Sequence, residues 1–151
     1  MAQDYLLRMI QQVAAMLAGI LAKRQAGDLA GAEDELQEKS LQYVGLPLVV
    51  VKHAAPEAIL ELLGTGGALR HSRGVLLAEL LIQDAALAEA RGNPPEALIS
   101  YQLASRLLAD SLGVLSIEEE AVYRAKLVDL SAKLRDLGDG TMGPDLPSDR
   151  L

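Results

Sequence analysis

The chain contains no cysteine, no tryptophan and no phenylalanine, and each absence closes a class of function. Without cysteine there is no disulfide framework, no thiolate nucleophile and no cysteine-ligated zinc site, which fits a reducing compartment; the cytoplasm is the expected location. Four tyrosines make up the whole aromatic content, so surface for stacking bases is scarce. Basic residues are also in deficit. Fourteen Lys and Arg face 21 Asp and Glu, for a formal charge of -7 and a pI near 4.8. A field of that sign disfavours phosphate backbones and anionic lipid, and the pairs Lys23/Arg24 and Arg70/Arg73 are too small to reverse it. Neither nucleic acid nor a membrane is expected as a partner.

Long apolar runs are lacking too. Met9 to Ala22 is mostly apolar and follows Arg8, but Gln11 and Gln12 interrupt it, Asp4 spoils a basic leader, and the stretch is too short to span a bilayer. An amphipathic helix is the better reading. At 151 residues the chain is long enough for one domain that buries roughly two thirds of its unfolded surface without a staple.

What is present is helical periodicity. Leu6, Met9, Val13, Met16 and Ile20 recur at spacings of three and four, and Ile10, Leu17 and Leu21 widen the stripe. So broad a stripe needs more than one packing partner. These five residues are the candidate subunit interface, with an internal core as the competing use. Gly27-Asp28 breaks the helix, and a second, acidic one follows over 29–44 with Glu33, Asp34, Glu35 and Glu38, ending at Gly45 before Pro47. Residues 46–52 include Val49, Val50 and Val51; with no second strand pattern to pair with, they read as a short buried helix or an extended connector.

Pro56 opens a short helix through Leu63, and a glycine-rich loop ends it. A long helix from about Ser72 carries Leu76, Leu77, Leu80, Leu81, Ala85 and Ala88 to a break at Gly92. Asn93 can cap the next helix, Pro94 suits its first position, and Glu96 can reach back to the Asn93 amide as a capping box. Ser116 and Glu119 offer a second such box before a final helix that ends near Leu137. The expected organisation is one helical domain over 1–137 and a flexible tail over 138–151, whose composition is Gly, Pro, Asp and Ser.

Gly92, Asn93, Glu96, Ala97, Tyr101 and Ala104, together with Leu81, Ala85 and Ala88, resemble one copy of a tetratricopeptide repeat, in which small residues let two antiparallel helices approach. Gly27, Asp28, Leu29, Ala32 and Leu36 fit the same pattern, but Ile20 and Lys39 stand where that family has small residues. The two breaks lie 65 residues apart, not one period of about 34. Asp4 to Ile10, Gly27-Asp28, Gly45-Leu46 and Gly92-Asn93 further resemble an uncharacterised bacterial all-helical family, which implies a fold and carries no catalytic residues. The tetratricopeptide resemblance implies a helical-hairpin motif at Gly92, Asn93, Ala97, Tyr101 and Ala104. It also implies a carboxylate clamp that this chain lacks, because Ile82 and Ala86 occupy the clamp positions.

Chemistry is sparse. His53 and His71 are the only histidines and are not at ligand spacing, so no metal site is expected. Gly64-Thr65-Gly66-Gly67 lacks the Lys of a phosphate loop and follows no strand. Ser72 beside His71 does not make a nucleophile and base, since neighbours on one turn do not face each other. The acidic set of the second helix reads as a solvated face. The expected object is an all-α bundle of antiparallel, tetratricopeptide-like hairpins with about six to seven helices. It is expected to act by protein association, including a homodimer, with no catalytic residues and no cofactor. The alternative is a ligand-binding protein or enzyme with a pocket between helices.

Overall fold

In the computed structural model, residues 2–64, 67–112 and 117–142 are described, apart from the side chains of 2–7, 67–71, 119 and 139–142. Among them the fold is all-α: α1 (Ala2–Gln25), α2 (Leu29–Lys39), α3 (Leu48–Lys52), α4 (Pro56–Leu62), α5 (Gly67–Ala90), α6 (Pro94–Leu112) and α7 (Ile117–Met142), with a π-helical turn over Ser40–Val44. α5 is the central helix. Every residue from Val75 to Leu81 is buried, so this stretch is enclosed all round, as expected of a helix with neighbours on each side. It packs chiefly on α6, which in turn packs on α7, while α1 and α2 form a hairpin against the other side of α5.

Both long hairpins turn by the same device. At the end of α1 the Gly27 and Asp28 amides bond to the Arg24 and Lys23 carbonyls, and at the end of α5 the Gly92 and Asn93 amides bond to those of Glu89 and Ala88. Each is a Schellman closure around a left-handed glycine, with φ of 82° at Gly27 and 74° at Gly92. Asp28 and Asn93 then cap the next helix, accepting from Gly31 N at 2.9 Å and Glu96 N at 3.3 Å. The expected capping box is therefore only half formed. The Asn93 amide is already taken by Ala88, and the Glu96 carboxylate turns instead to Lys52. A Cβ at Gly92 would meet nothing within 4 Å, so Gly92→Ala carries only the left-handed backbone penalty. Urea denaturation should show a loss of about 1–2 kcal/mol with an unchanged slope.

Several expectations need correction. The second helix does not run regularly to residue 44: its last turn widens, and the Gly45 amide bonds to both Ser40 and Leu41 carbonyls. The wider turn buries Ser40 and Val44 and leaves Leu41 55% exposed. Arg73 makes the irregularity tolerable by donating to the Val44 carbonyl at 2.7 Å and the Leu63 carbonyl at 3.1 Å, placing a cation at two helix ends. Of the valine run only Val51 faces inward; Val49 and Val50 are exposed. α5 begins at Gly67, ahead of the expected start near Ser72. α7 continues through Gly138 to Met142, past the expected end at Leu137, since one glycine costs a helix only about 1 kcal/mol. Residues 143–151 of the expected tail, Thr65 and Gly66 of the glycine-rich loop, and Ser116 of the second capping box lie outside the described residues.

The polar groups that reach the interior are bonded. Ser40 donates to the Leu46 carbonyl at 2.6 Å, Ser111 to Leu107 at 3.0 Å, and Glu79 holds Lys126 at 2.6 Å. Such satisfaction is needed, because a buried polar group without a partner costs about 1–3 kcal/mol.

Candidate functional site

Met9, Met16 and Ile20 of the expected interface are buried inside the chain, at 5%, 0% and 0% exposure, and Val13 packs half-buried against the same core. Met9, Met16 and Ile20 are therefore core residues of the single chain, with Val13 at the border of that core. α1 meets α2, α5 and α7, while Ile10, which widens the stripe, stays 44% exposed. The Leu6 side chain lies outside the described residues. Gly92 and Asn93 form the hairpin turn described above, and Ala97, Tyr101 and Ala104 are buried in the α5–α6 packing.

Tyr101 plugs the space between helices and sends its hydroxyl to Glu89 Oε1 at 2.7 Å. Burial and that hydrogen bond push the phenol well above its usual range, so it acts as a neutral donor. Lys133 of α7 stands 6.0 Å from the ring centroid and 3.4 Å from the same glutamate, linking α7 to the hairpin.

The densest polar convergence was not anticipated from sequence. Lys52, at the end of α3, places its ammonium 2.9 Å from Asp84 Oδ2 on α5 and pairs with Glu96 Oε2 on α6. Ser100, fully buried on α6, donates to the same Asp84 oxygen at 2.6 Å. Burial pulls the Lys52 pKa down, but the hydrogen bonds to Glu96 and Asp84 outweigh it and leave the pKa above the ordinary lysine value. The ammonium is therefore a fixed positive charge joining three helices. The warning in the sequence was local: Glu79 and Asp84 are the lone acids in a run from Val75 to Ala88 that is apolar apart from them and Gln83. Nothing local named Lys52 as the partner.

Lys52 also stands between two concavities. On one side is a charged notch of about 190 Å³, lined by Glu33, Lys52, Asp84, Arg91, Asn93 and Glu96 over Leu87 and Ala88. Arg91 closes its rim by pairing with Glu33 of α2. On the other is a shallow groove of about 310 Å³ between the α3–α4 corner and α6, with Ala54, Pro56, Ile99 and Leu103 supplying its apolar surface and Arg106 at its edge. Arg106 reaches Glu57 at 3.2 Å.

The acidic face of α2 is less solvated than expected. Glu33 pairs with Arg91, and Glu35 lies 3.4 Å from Lys23 and 3.9 Å from Lys39. His53 places Nδ1 2.8 Å from the Val49 carbonyl of its own helix, and the His71 side chain is outside the described residues. Among the described residues no three His, Asp or Glu side chains are grouped to hold a metal ion, and no helix is long and apolar enough to cross a membrane. Comparison with protein-family models, curated proteins and solved structures gives no match.

Proposed function

We propose that this chain is a cytoplasmic, tetratricopeptide-like interaction module that associates with a second copy of itself through the face formed by the α3–α4 corner and α6. The observation carrying this reading is the groove between the α3–α4 corner and α6, together with aliphatic side chains that α3, α4 and α6 leave exposed. Val49, Val50, Leu62 and Ile99 are 56%, 46%, 49% and 43% exposed, and Ile99 lines the groove. Apolar surface rimmed by charge is the usual mark of a recognition face.

A second copy is favoured as the partner because the rim carries both signs. A two-fold interface sets a patch against itself, so it must be self-complementary. Arg106 and Glu57 can exchange partners across such an axis with no charge left alone, and Glu57 is 72% exposed within the single chain. The clamp for acidic peptide ends is replaced by Ile82 and Ala86, which leaves apolar recognition as the use of a helical-hairpin surface.

Sedimentation equilibrium from micromolar to sub-millimolar protein tests the reading. The chain should dimerise, and Ile99→Asp should shift it to monomer while changing chain stability by no more than about 0.5 kcal/mol. Arg106→Glu should weaken the dimer, and adding Glu57→Arg should restore it. A wild-type chain that stays monomeric throughout, or charge variants that do not compensate, would refute the proposal.

A further inference from the structure

We propose that α7 is a strap: it opens as one unit while the rest of the chain stays folded, and so uncovers a face of the α5–α6 hairpin that grips a helix by its lysines. This goes beyond self-association and does not rest on it. The first reason is how little α7 buries for its length. α6 buries eight residues over a helix of 19. α7 runs for 26 residues, yet among its described side chains only Tyr123 and Leu130 are buried, with Leu127, Leu134 and Leu137 partly so. Ile117 and Val128 stay outside, at 83% and 64% exposure. Each ordered residue costs conformational entropy whether or not it buries anything, so α7 is held on a far smaller margin than α6.

The second reason is the nature of its grips. Lys126 meets Glu79 Oε2 at 2.6 Å and Lys133 meets Glu89 Oε1 at 3.4 Å, both acids on α5, and Lys133 also stands over the Tyr101 ring. The Glu79 side chain is only 4% exposed, and among the described residues Lys126 is its hydrogen-bonding partner. A buried carboxylate needs such a partner, so the hairpin face that carries Glu79 is completed by a lysine brought from outside the hairpin.

Opening leaves the body intact. Lifting α7 returns Lys126 and Lys133 to water and opens the side of α5 that carries Glu79, so no charge is left alone inside. The uncovered strip holds Glu79, Glu89 and Tyr101, and the Tyr101 hydroxyl donates to Glu89 within the hairpin, without help from α7. Tyr123, Lys126, Leu130 and Lys133 recur at spacings of three and four, which is one edge of a helix. That edge of α7 is the occupant the strip fits.

Native-state hydrogen exchange on the full chain tests the strap. Amides from Tyr123 to Leu130, away from frayed helix ends, should share one opening and be about 100-fold or more less protected than those from Val75 to Leu81 on α5. Lys126→Glu sets a second carboxylate against Glu79 and should lower their protection about tenfold further. A synthetic peptide of residues 117–138 should then bind the Lys126→Glu chain with a dissociation constant of about 1 mM or tighter. It should bind the parent chain about tenfold more weakly or worse, because there α7 must leave first. The same peptide carrying Lys126→Glu and Lys133→Glu should not bind. Amides of Tyr123 to Leu130 as well protected in the parent chain as those of α5 would overturn the inference without any variant. So would a peptide that fails to bind a Lys126→Glu chain of unchanged helical circular dichroism, or equal binding by the glutamate peptide.

Discussion

Lys52→Met is expected to destabilise the fold by about 3 kcal/mol in urea denaturation at neutral pH, because it removes one partner of a largely buried ion cluster and leaves Asp84 charged inside. The Asp84 side chain is 11% exposed, so water cannot replace the ammonium well, whereas Glu96 can turn outward. Changing both Lys52→Met and Asp84→Leu should recover part of the loss, since the uncompensated charge is then gone. If the single variant were as stable as the parent, the cluster would not join α3 to the central hairpin.

The same ammonium predicts a dependence on pH. Its folded pKa lies above the ordinary lysine value near 10.5, so its stabilisation is complete below that value and is lost as pH rises through the folded pKa. Tyr101 is also raised and works in the same direction over the same alkaline range. The Lys52 part is isolated by subtraction: the stability gap between parent and Lys52→Met should be constant from neutral to mildly alkaline pH and should narrow above about pH 10.5. A gap that stayed constant through strongly alkaline pH would contradict an ammonium-based origin.

Ile20→Ala is expected to cost about 3–4 kcal/mol, comparable to other fully buried isoleucine truncations. Ile20 has no exposed surface within the single chain, so the loss should be the same in dilute and concentrated protein. Concentration independence is the decisive feature. If Ile20 served a subunit contact, the variant would keep its chain stability and lose association, and denaturation midpoints would vary with protein concentration. Paired with Ile99→Asp, which should do the reverse, the substitution separates core from surface.

Most of the fold was legible because its signals are local. Gly27-Asp28 and Gly92-Asn93 each combine a residue that tolerates positive φ with one that caps a helix, and both turns form as that chemistry requires. The small residues Ala97 and Ala104 were legible as a close approach of two helices, and both are buried on α6. The π-helical turn was not legible. Its stability comes from Arg73, twenty-nine residues beyond the Val44 carbonyl it caps, and no local propensity records that bond. The capping box misled for a related reason. Glu96 had an adequate local partner, but a charge brought from α3 offered a stronger one.

By itself the sequence determined an all-helical chain, where its main breaks fall, and which residues turn inward, because spacing, glycine conformation and capping act over a few neighbouring residues. Tertiary structure alone decided that Met9, Met16 and Ile20 of α1 are core and that Lys52, Asp84, Glu96 and Ser100 share one cluster. It also decided which aliphatic side chains stay outside, among them Val49, Val50, Leu62 and Ile99, and Ile117 and Val128 of α7. Those outcomes depend on which helix faces which. That is a property of packing between elements far apart in the chain, where a contact's free energy is set by partners that periodicity cannot name.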